Sequence, residues 1–236
     1  MKILIIVPAF NESENITKVI DSLKSENKDW DIVVVNDCSH DHTGQVAQSS
    51  GKAFVLNLPY HLGIGGGVQT GFKFARKNHY DIALQFDGDC QHKACEIPKL
   101  LKPIMENEAD VVIGSRFRGK HNGWKSSFSR RVGIKVFEIV NSIIIKQKIT
   151  DNTSGFRSYN RRAIVFLADH YPVDYPEPEA VILLGKNGFV IKEVYTEMQE
   201  RTGGKSSIFG LTSAYYMIKV LLAIFMNALR SKILKE

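Results

Sequence analysis

At 236 residues, 44% hydrophobic and 24% charged, the chain is long enough to bury a substantial core as one large domain, and its composition argues against wholesale disorder. The three cysteines, Cys38, Cys90 and Cys95, form no regular framework, which speaks against a secreted disulfide scaffold and for a reducing compartment. The net charge of +6 is concentrated in Arg116, Arg118, Lys120, Lys125, Arg130, Arg131 and Lys135, a block without Asp or Glu that suits phosphates, an acidic membrane surface or nucleic acid, or else a solvated loop.

Residues 2–7 are a short β-branched run ending at Pro8, the pattern of a buried parallel strand and too short for a signal-peptide core, so a cytoplasmic protein is expected. Asn11 or Ser13 can cap a following helix that carries Ile16, Val19, Ile20 and Leu23. A second strand spans residues 31–36, after which Asp41 or Thr43 can cap another helix; a third spans 52–58. The glycine cluster at Gly63, Gly65, Gly66 and Gly67 invites comparison with a dinucleotide fingerprint, but it follows the third strand and lacks the spacing, which counts against a nicotinamide dehydrogenase. These glycines instead let the backbone approach a ligand or a neighbouring loop, with a helix over 67–77 after them.

A fourth strand begins at Ile82 and runs into Asp87-Gly88-Asp89-Cys90-Gln91. Two carboxylates one residue apart at a strand end suit a divalent cation, and oxygen donors suit Mg²⁺ or Mn²⁺; an ordinary Asp-Gly turn is the alternative. Cys90, His92 and Cys95 lack the second Cys/His pair that a tetrahedral zinc site needs. A helix over 97–105 and a strand over 109–113 follow. Five strand-helix alternations imply an α/β fold with a doubly wound, mostly parallel sheet, whose ligands bind beyond the carboxyl ends of the strands. Glu12, Asp37, Asn57, Asp87, Asp89 and Arg116 all fall at such ends.

Beyond residue 113 come the basic loop, an apolar helix over 132–145, and Thr150-Asp151-Asn152-Thr153-Ser154-Gly155-Phe156-Arg157 entering a strand over 155–159. Residues 171–179 hold three prolines, a stiff loop leading into an apolar helix through Leu184, and a strand spans 189–195. Gly203 and Gly204 permit Lys205, Ser206 and Ser207 to close as a lid. Residues 208–229 approach the ~20 apolar residues of a membrane span. Lys219 near the middle costs about 2.5–3.5 kcal/mol on insertion, which favours a helix lying in the membrane interface, with a core helix as the competitor.

Pro8-Ala9-Phe10-Asn11-Glu12, Asn36-Asp37-Cys38-Ser39, Asp87-Gly88-Asp89-Cys90-Gln91-His92, Gly114-Ser115-Arg116 and Ser154-Gly155-Phe156-Arg157 stand in the order of family 2 glycosyltransferases of GT-A fold. The chain most resembles the dolichol-phosphate mannosyltransferase branch and its bacterial polyprenyl-phosphate relatives. The resemblance implies a GT-A catalytic domain over 1–207 and a membrane-associated helix over 208–236, at the cytoplasmic face of the membrane, peripheral or monotopic. It implies an inverting transfer of sugar from a UDP- or GDP-linked donor to a polyprenyl phosphate. Pro8, Phe10, Glu12, Asp37, Asp87 and Lys205 would hold the nucleotide-sugar, and Asp87, Asp89 and Gln91 the Mg²⁺ or Mn²⁺. Asp89, Arg116, Arg157 and Glu179 would be catalytic, with Arg116, Arg130, Arg131 and Arg201 on the acceptor phosphate.

A phosphate acceptor is already ionised and needs positioning by guanidinium groups more than a base. A hydroxyl acceptor would require Glu177 or Glu179, which otherwise cap the next helix or bind sugar hydroxyls. A non-catalytic nucleotide-sugar-binding subunit is a further alternative. The lack of a clear pair of long spans suggests a small membrane protein partner, or a homo-oligomer, for further anchoring. Nucleic acid is not expected, since no stacking platform or recognised module is present.

Overall fold

The computed structural model describes residues 1–117, 142, 144–199, 219, 222, 226 and 233. The elements, in chain order, are β1 (Ile3–Ala9), α1 (Ile16–Glu26), β2 (Asp31–Asn36), α2 (Thr43–Ser49), β3 (Phe54–Asn57), α3 (Gly63–Lys77), β4 (Ile82–Gln85), a 3₁₀ turn (Ala94–Glu96), α4 (Ile97–Met105), β5 (Val111–Ser115), β6 (Arg157–Asn160), α5 (Arg161–His170), α6 (Pro176–Lys186) and β7 (Ile191–Tyr195).

The strands form one seven-stranded sheet in the order β3-β2-β1-β4-β6-β5-β7. It is parallel except for β6, which runs antiparallel to both β4 and β5. Strands β1 and β2 read as continuous apolar runs because both of their faces are covered. Leu4 and Ile6 face one core, with Val68 and Phe72 of α3 and Leu167 of α5, while Ile5 and Val7 face the other, with Ile16 and Ile20 of α1 and Leu100 of α4. The expected doubly wound architecture is therefore present, with one reversed strand that the sequence pattern did not distinguish.

Several local expectations change. Helix α3 starts at Gly63 rather than Gly67, so the glycine cluster forms its first turn. A Cβ on Gly65 would lie 2.6 Å from the carbonyl oxygens of Pro172 and Val173, so it is the neighbouring-loop approach, expected as one of two options, that the glycine permits here. Neither Asn11 nor Ser13 caps α1: Asn11 takes a positive φ and its side-chain oxygen accepts the His40 N–H, while the Ser13 N–H donates to Asp41. Asp41 serves α2 from just outside it, accepting the Thr43 N–H.

Residues 160–170 carry no predicted element, yet Asn160 caps α5 by accepting the Ala163 N–H. Helix α6 begins at Pro176, the position where the missing N–H of proline costs nothing, so Glu177 and Glu179 lie in its first turn and not in a stiff loop. Among the described residues no helix is long and apolar enough to cross a membrane. The basic stretch beyond Phe117, most of the helix predicted over 132–145, the lid over 203–207 and nearly all of 208–236 lie outside the described residues.

Candidate active site

Strand β1 has β2 on one side and β4 on the other, so the loops leaving β1 and β4 part in opposite directions and open a crevice at their carboxyl ends. Pro8 fits there despite its central strand. The Ile6 carbonyl accepts the Phe86 N–H, and by alternation Pro8 turns its ring nitrogen the same way, to where β4 has already ended. The vacated edge is taken by the turn at Asp87-Gly88-Asp89, where a Cβ on Gly88 would lie 3.2 Å from the Pro8 carbonyl oxygen.

Asp87 is held from three sides. Gln85 Nε2 donates to its Oδ1 at 3.3 Å, its backbone N–H donates to His92 Nδ1 at 3.2 Å, and His92 Nε2 stands 3.6 Å from Oδ2. His92 is buried and stacked on Phe156 with ring centroids 4.7 Å apart. Burial holds its pKa below the usual histidine range, against the pull of Asp87 and Asp89. A neutral ring that accepts at Nδ1 carries its proton on Nε2, toward the Asp87 carboxylate. Gly155 completes the enclosure, because a Cβ there would come 2.9 Å from Gln85 Nε2 and 3.0 Å from Asp87 Oδ2. Asp89 Oδ1 accepts the Gln91 N–H at 3.1 Å. The Gln91 carbonyl accepts from Gln199, so the segment after β7 is tied to this turn.

On the β2 side, Asp37 is buried, its Oδ1 accepts the Leu62 N–H at 2.7 Å, and His61 Nδ1 lies 3.0 Å from its Oδ2. Half-exposed Phe10 packs on His61, with ring centroids 4.3 Å apart, and meets His40 edge-on. Glu12 donates its N–H to Thr43 and accepts from Asn15 Nδ2, and its Cγ stands 3.7 Å from where a Cβ on Gly88 would be. Pro8, Phe10, Glu12, Asp37, Asp87, Asp89 and Gln91 are thus brought together at the β1, β2 and β4 ends.

The far wall is built differently. Arg116, just past β5, donates from Nε and Nη2 to the two oxygens of Asp151 at 2.8 and 2.7 Å, and from Nη2 to Thr153 Oγ1 at 2.7 Å. Asp151 is fully buried, and although burial alone would raise its pKa, the Arg116 guanidinium holds the carboxyl below the usual range. Glu193 on β7, also buried, accepts the N–H groups of Thr150 and Asp151 at 2.9 and 2.7 Å. Neither Asp151 nor Glu193 is a candidate from sequence. The available signal was Glu193 itself, an acid on the buried, alternate-residue face that it shares with Ile191.

Two further candidates are engaged by the protein itself. Arg157 is 1% exposed, and its guanidinium donates to the backbone carbonyls of Ser154, Glu177 and Asn152, so it staples the 152–154 loop to α6. Glu179 accepts the Tyr175 N–H at 3.0 Å at the start of its own helix, and with Asp169, His170 and Asp174 it lines a cleft of about 520 Å³. Glu177 is half-buried; burial raises its pKa, partly offset by Arg157, and Asp87 and Arg116 are among the charges that act on it. Arg130, Arg131, Arg201 and Lys205 lie outside the described residues.

Among the described residues no three His, Cys, Asp or Glu side chains are grouped to hold a metal by themselves. The Cys90 thiol points to the Asn15 carbonyl, and His92 is committed to Asp87. Asp87 and Asp89 offer oxygen donors only, and two carboxylates fit a cation such as Mg²⁺ or Mn²⁺ that takes its remaining ligands from water and a diphosphate.

The family model "Glycosyl transferase family 2" matches residues 4–166. The chain is 29% identical over 224 residues to a UDP-N-acetylglucosamine–dolichyl-phosphate N-acetylglucosaminyltransferase of Methanococcus voltae, covering 85% of this chain and 89% of that protein. It is 30% identical over 226 residues to a dolichol-phosphate mannosyltransferase of Pyrococcus furiosus, covering 92% of this chain and 62% of that protein. A crystal structure of glucosyl-3-phosphoglycerate synthase from Mycobacterium tuberculosis, with Mn²⁺, uridine diphosphate and phosphoglyceric acid, superposes with a TM-score of 0.70 over 98% of this chain and 79% of that one, at 17% identity. The likeness identifies the sheet and its helices as GT-A-like.

Proposed function

Since the chain belongs to glycosyl transferase family 2, we propose that it moves a sugar from a nucleotide-sugar to a polyprenyl phosphate at the cytoplasmic face of a membrane, with a divalent metal in attendance. The observation that carries this reading is the pairing, across one crevice, of the Asp87 and Asp89 carboxylates with an Arg116 fixed in place on the opposite wall. The activities of the two archaeal relatives support a lipid-phosphate acceptor, and the Mn²⁺ and uridine diphosphate of the structural neighbour support a metal-bound diphosphate.

In this reading, Asp37 and Glu12 receive the nucleoside, and Phe10 with His61 covers its outer edge. Asp87 and Asp89 hold Mg²⁺ or Mn²⁺, assisted by Gln91, and the bound cation supplies positive charge to the departing diphosphate. His92 keeps the Asp87 carboxylate aimed into the crevice. The acceptor phosphate, ionised near neutral pH, needs no base; Arg116 neutralises and orients it for attack on the anomeric carbon from the face opposite the leaving group. Residues 1–207 form the catalytic unit in this account and 208–236 the membrane contact, which leaves Arg130, Arg131, Arg201 and Lys205 as further phosphate contacts.

Glu177 favours a second reading, transfer to a hydroxyl. A half-buried carboxyl whose pKa is raised by desolvation, and which feels the charges of Asp87 and Arg116, is what such a base would be. A thermal-shift panel of nucleotide-sugars with Mn²⁺ or Mg²⁺ identifies the donor. Transfer of that radiolabelled sugar to undecaprenyl phosphate is then expected. Incorporation only into a hydroxylated acceptor would replace the first reading with the second.

A further inference from the structure

The acceptor wall contains two buried carboxylates in series. Glu193 Oε1 accepts both the Thr150 and Asp151 N–H groups, Oε2 accepts the Thr150 hydroxyl at 2.9 Å, and Asp151 then accepts Arg116 through its backbone N–H, Nε and Nη2. Ser115 Oγ, 3.2 Å from Thr150 Oγ1, ties the end of β5 to the same loop. With one edge of its guanidinium locked in a fork against a carboxylate that has no exposed surface, Arg116 has its plane and direction fixed from beneath. Buried carboxylates are tolerated only when paired and hydrogen-bonded, and here the two acids accept from the 150–153 loop and from Arg116.

We propose that Asp151 and Glu193 are positioning residues that aim Arg116 at the anionic group of the acceptor. Glu193 fixes the backbone of the 150–151 loop to β7, Asp151 fixes the guanidinium to that loop, and the acceptor phosphate is met by an arginine already oriented for it. This rests on the reading of Arg116 as a phosphate-contacting group. A pre-oriented arginine loses less rotamer freedom when the phosphate arrives, so the gain appears in acceptor affinity and alignment and not in donor binding.

The test uses the full chain and two calorimetric titrations, farnesyl phosphate as a soluble acceptor probe and UDP with Mn²⁺ as the donor-side control. Arg116→Ala and Asp151→Asn should each weaken farnesyl phosphate by about tenfold or more, with UDP–Mn²⁺ binding held within about twofold. The double variant should lose no more than Arg116→Ala alone, since Asp151 acts only through Arg116. Glu193→Gln keeps an acceptor oxygen for the two N–H groups and should bind nearly as wild type, whereas Glu193→Ala should not. If Asp151→Asn fails to fold, Asp151→Glu and Glu193→Ala replace it in the same cycle. Wild-type affinity in Asp151→Asn beside a weakened Arg116→Ala overturns the positioning role, as would equal loss of both ligands in Asp151→Asn. Wild-type affinity in Arg116→Ala overturns the reading of Arg116 itself.

Discussion

On the β1–β4 side of the crevice each candidate group sits within a few residues of the strand end that carries it, and its partners are mostly local: Glu12 with Asn15, Asp89 with Gln91, Asp87 with Gln85 and His92. On the β5–β7 side Arg116 is held by Asp151, 35 positions away, and the Asp151 backbone by Glu193, 42 positions further. The first wall is a set of strand-end loops that leave carboxylates turned to the opening. The second is a buried charge network that leaves little exposed. A substitution on the first wall should therefore remove chemistry while sparing the fold, and one on the second should register in both.

The largest effect expected is at Asp89. Asp89→Ala should lower sugar transfer on the order of 10²–10³-fold with an unchanged melting temperature, measured with the donor identified by thermal shift. A melting point that fell with activity would erase the contrast between the walls. Arg157→Met is the opposite case. Three backbone carbonyls lose their donor, so urea unfolding should show a loss of about 3 kcal/mol, while UDP–Mn²⁺ affinity measured on the folded fraction stays near wild type. A stable but inactive Arg157→Met would return this residue to the site.

His92→Phe keeps the stack on Phe156 but leaves the Asp87 N–H and carboxylate without their ring partner, and should weaken Mn²⁺ affinity about tenfold at constant UDP. The smallest effect belongs to Asp41. Burial alone would raise its pKa, but hydrogen bonds from Thr43 and Ser13 outweigh that and hold it at about 2 against an ordinary 3.8. A depressed folded-state pKa means stability that is complete above the unfolded value and lost as pH falls through about 2. Asp41→Asn should thus cost about 1 kcal/mol or less at pH 6, and the gap in urea midpoints should narrow below the unfolded value of 3.8 and close only once the pH is below about 2.

The same contrast decides what the sequence could disclose. Asp87, Asp89, Glu12 and Asp37 are legible because short apolar runs announce strand ends, and polar residues beyond them need a reason to be there. Arg116 was legible on the same grounds, but its partner was not, because nothing local says that Asp151 will be buried beneath it. Arg157 reads as a catalytic arginine in the motif, and its place as a staple shows only once antiparallel β6 draws it under α6. Glu177 and Glu179 are indistinguishable until α6 is known to begin at Pro176. Two positions along a helix turn the side chains by about 200°, so the two acids lie on different sides of it, and Glu179 is the one that meets the Tyr175 N–H. The missed helix α5 has a plain enough pattern in Ala163, Ile164 and Leu167 after a capping Asn160, and was lost between two more conspicuous stretches.

Ser115 and Thr150 meet across 35 positions of chain, and Glu193 holds the same threonine through its N–H and its hydroxyl. One small side chain on the Thr150 loop is thereby the joint between the end of β5 and β7, two strands that already pair in register from Val111 to Ser115. A joint of that kind carries a disturbance from either strand to the residue that follows β5, which is Arg116.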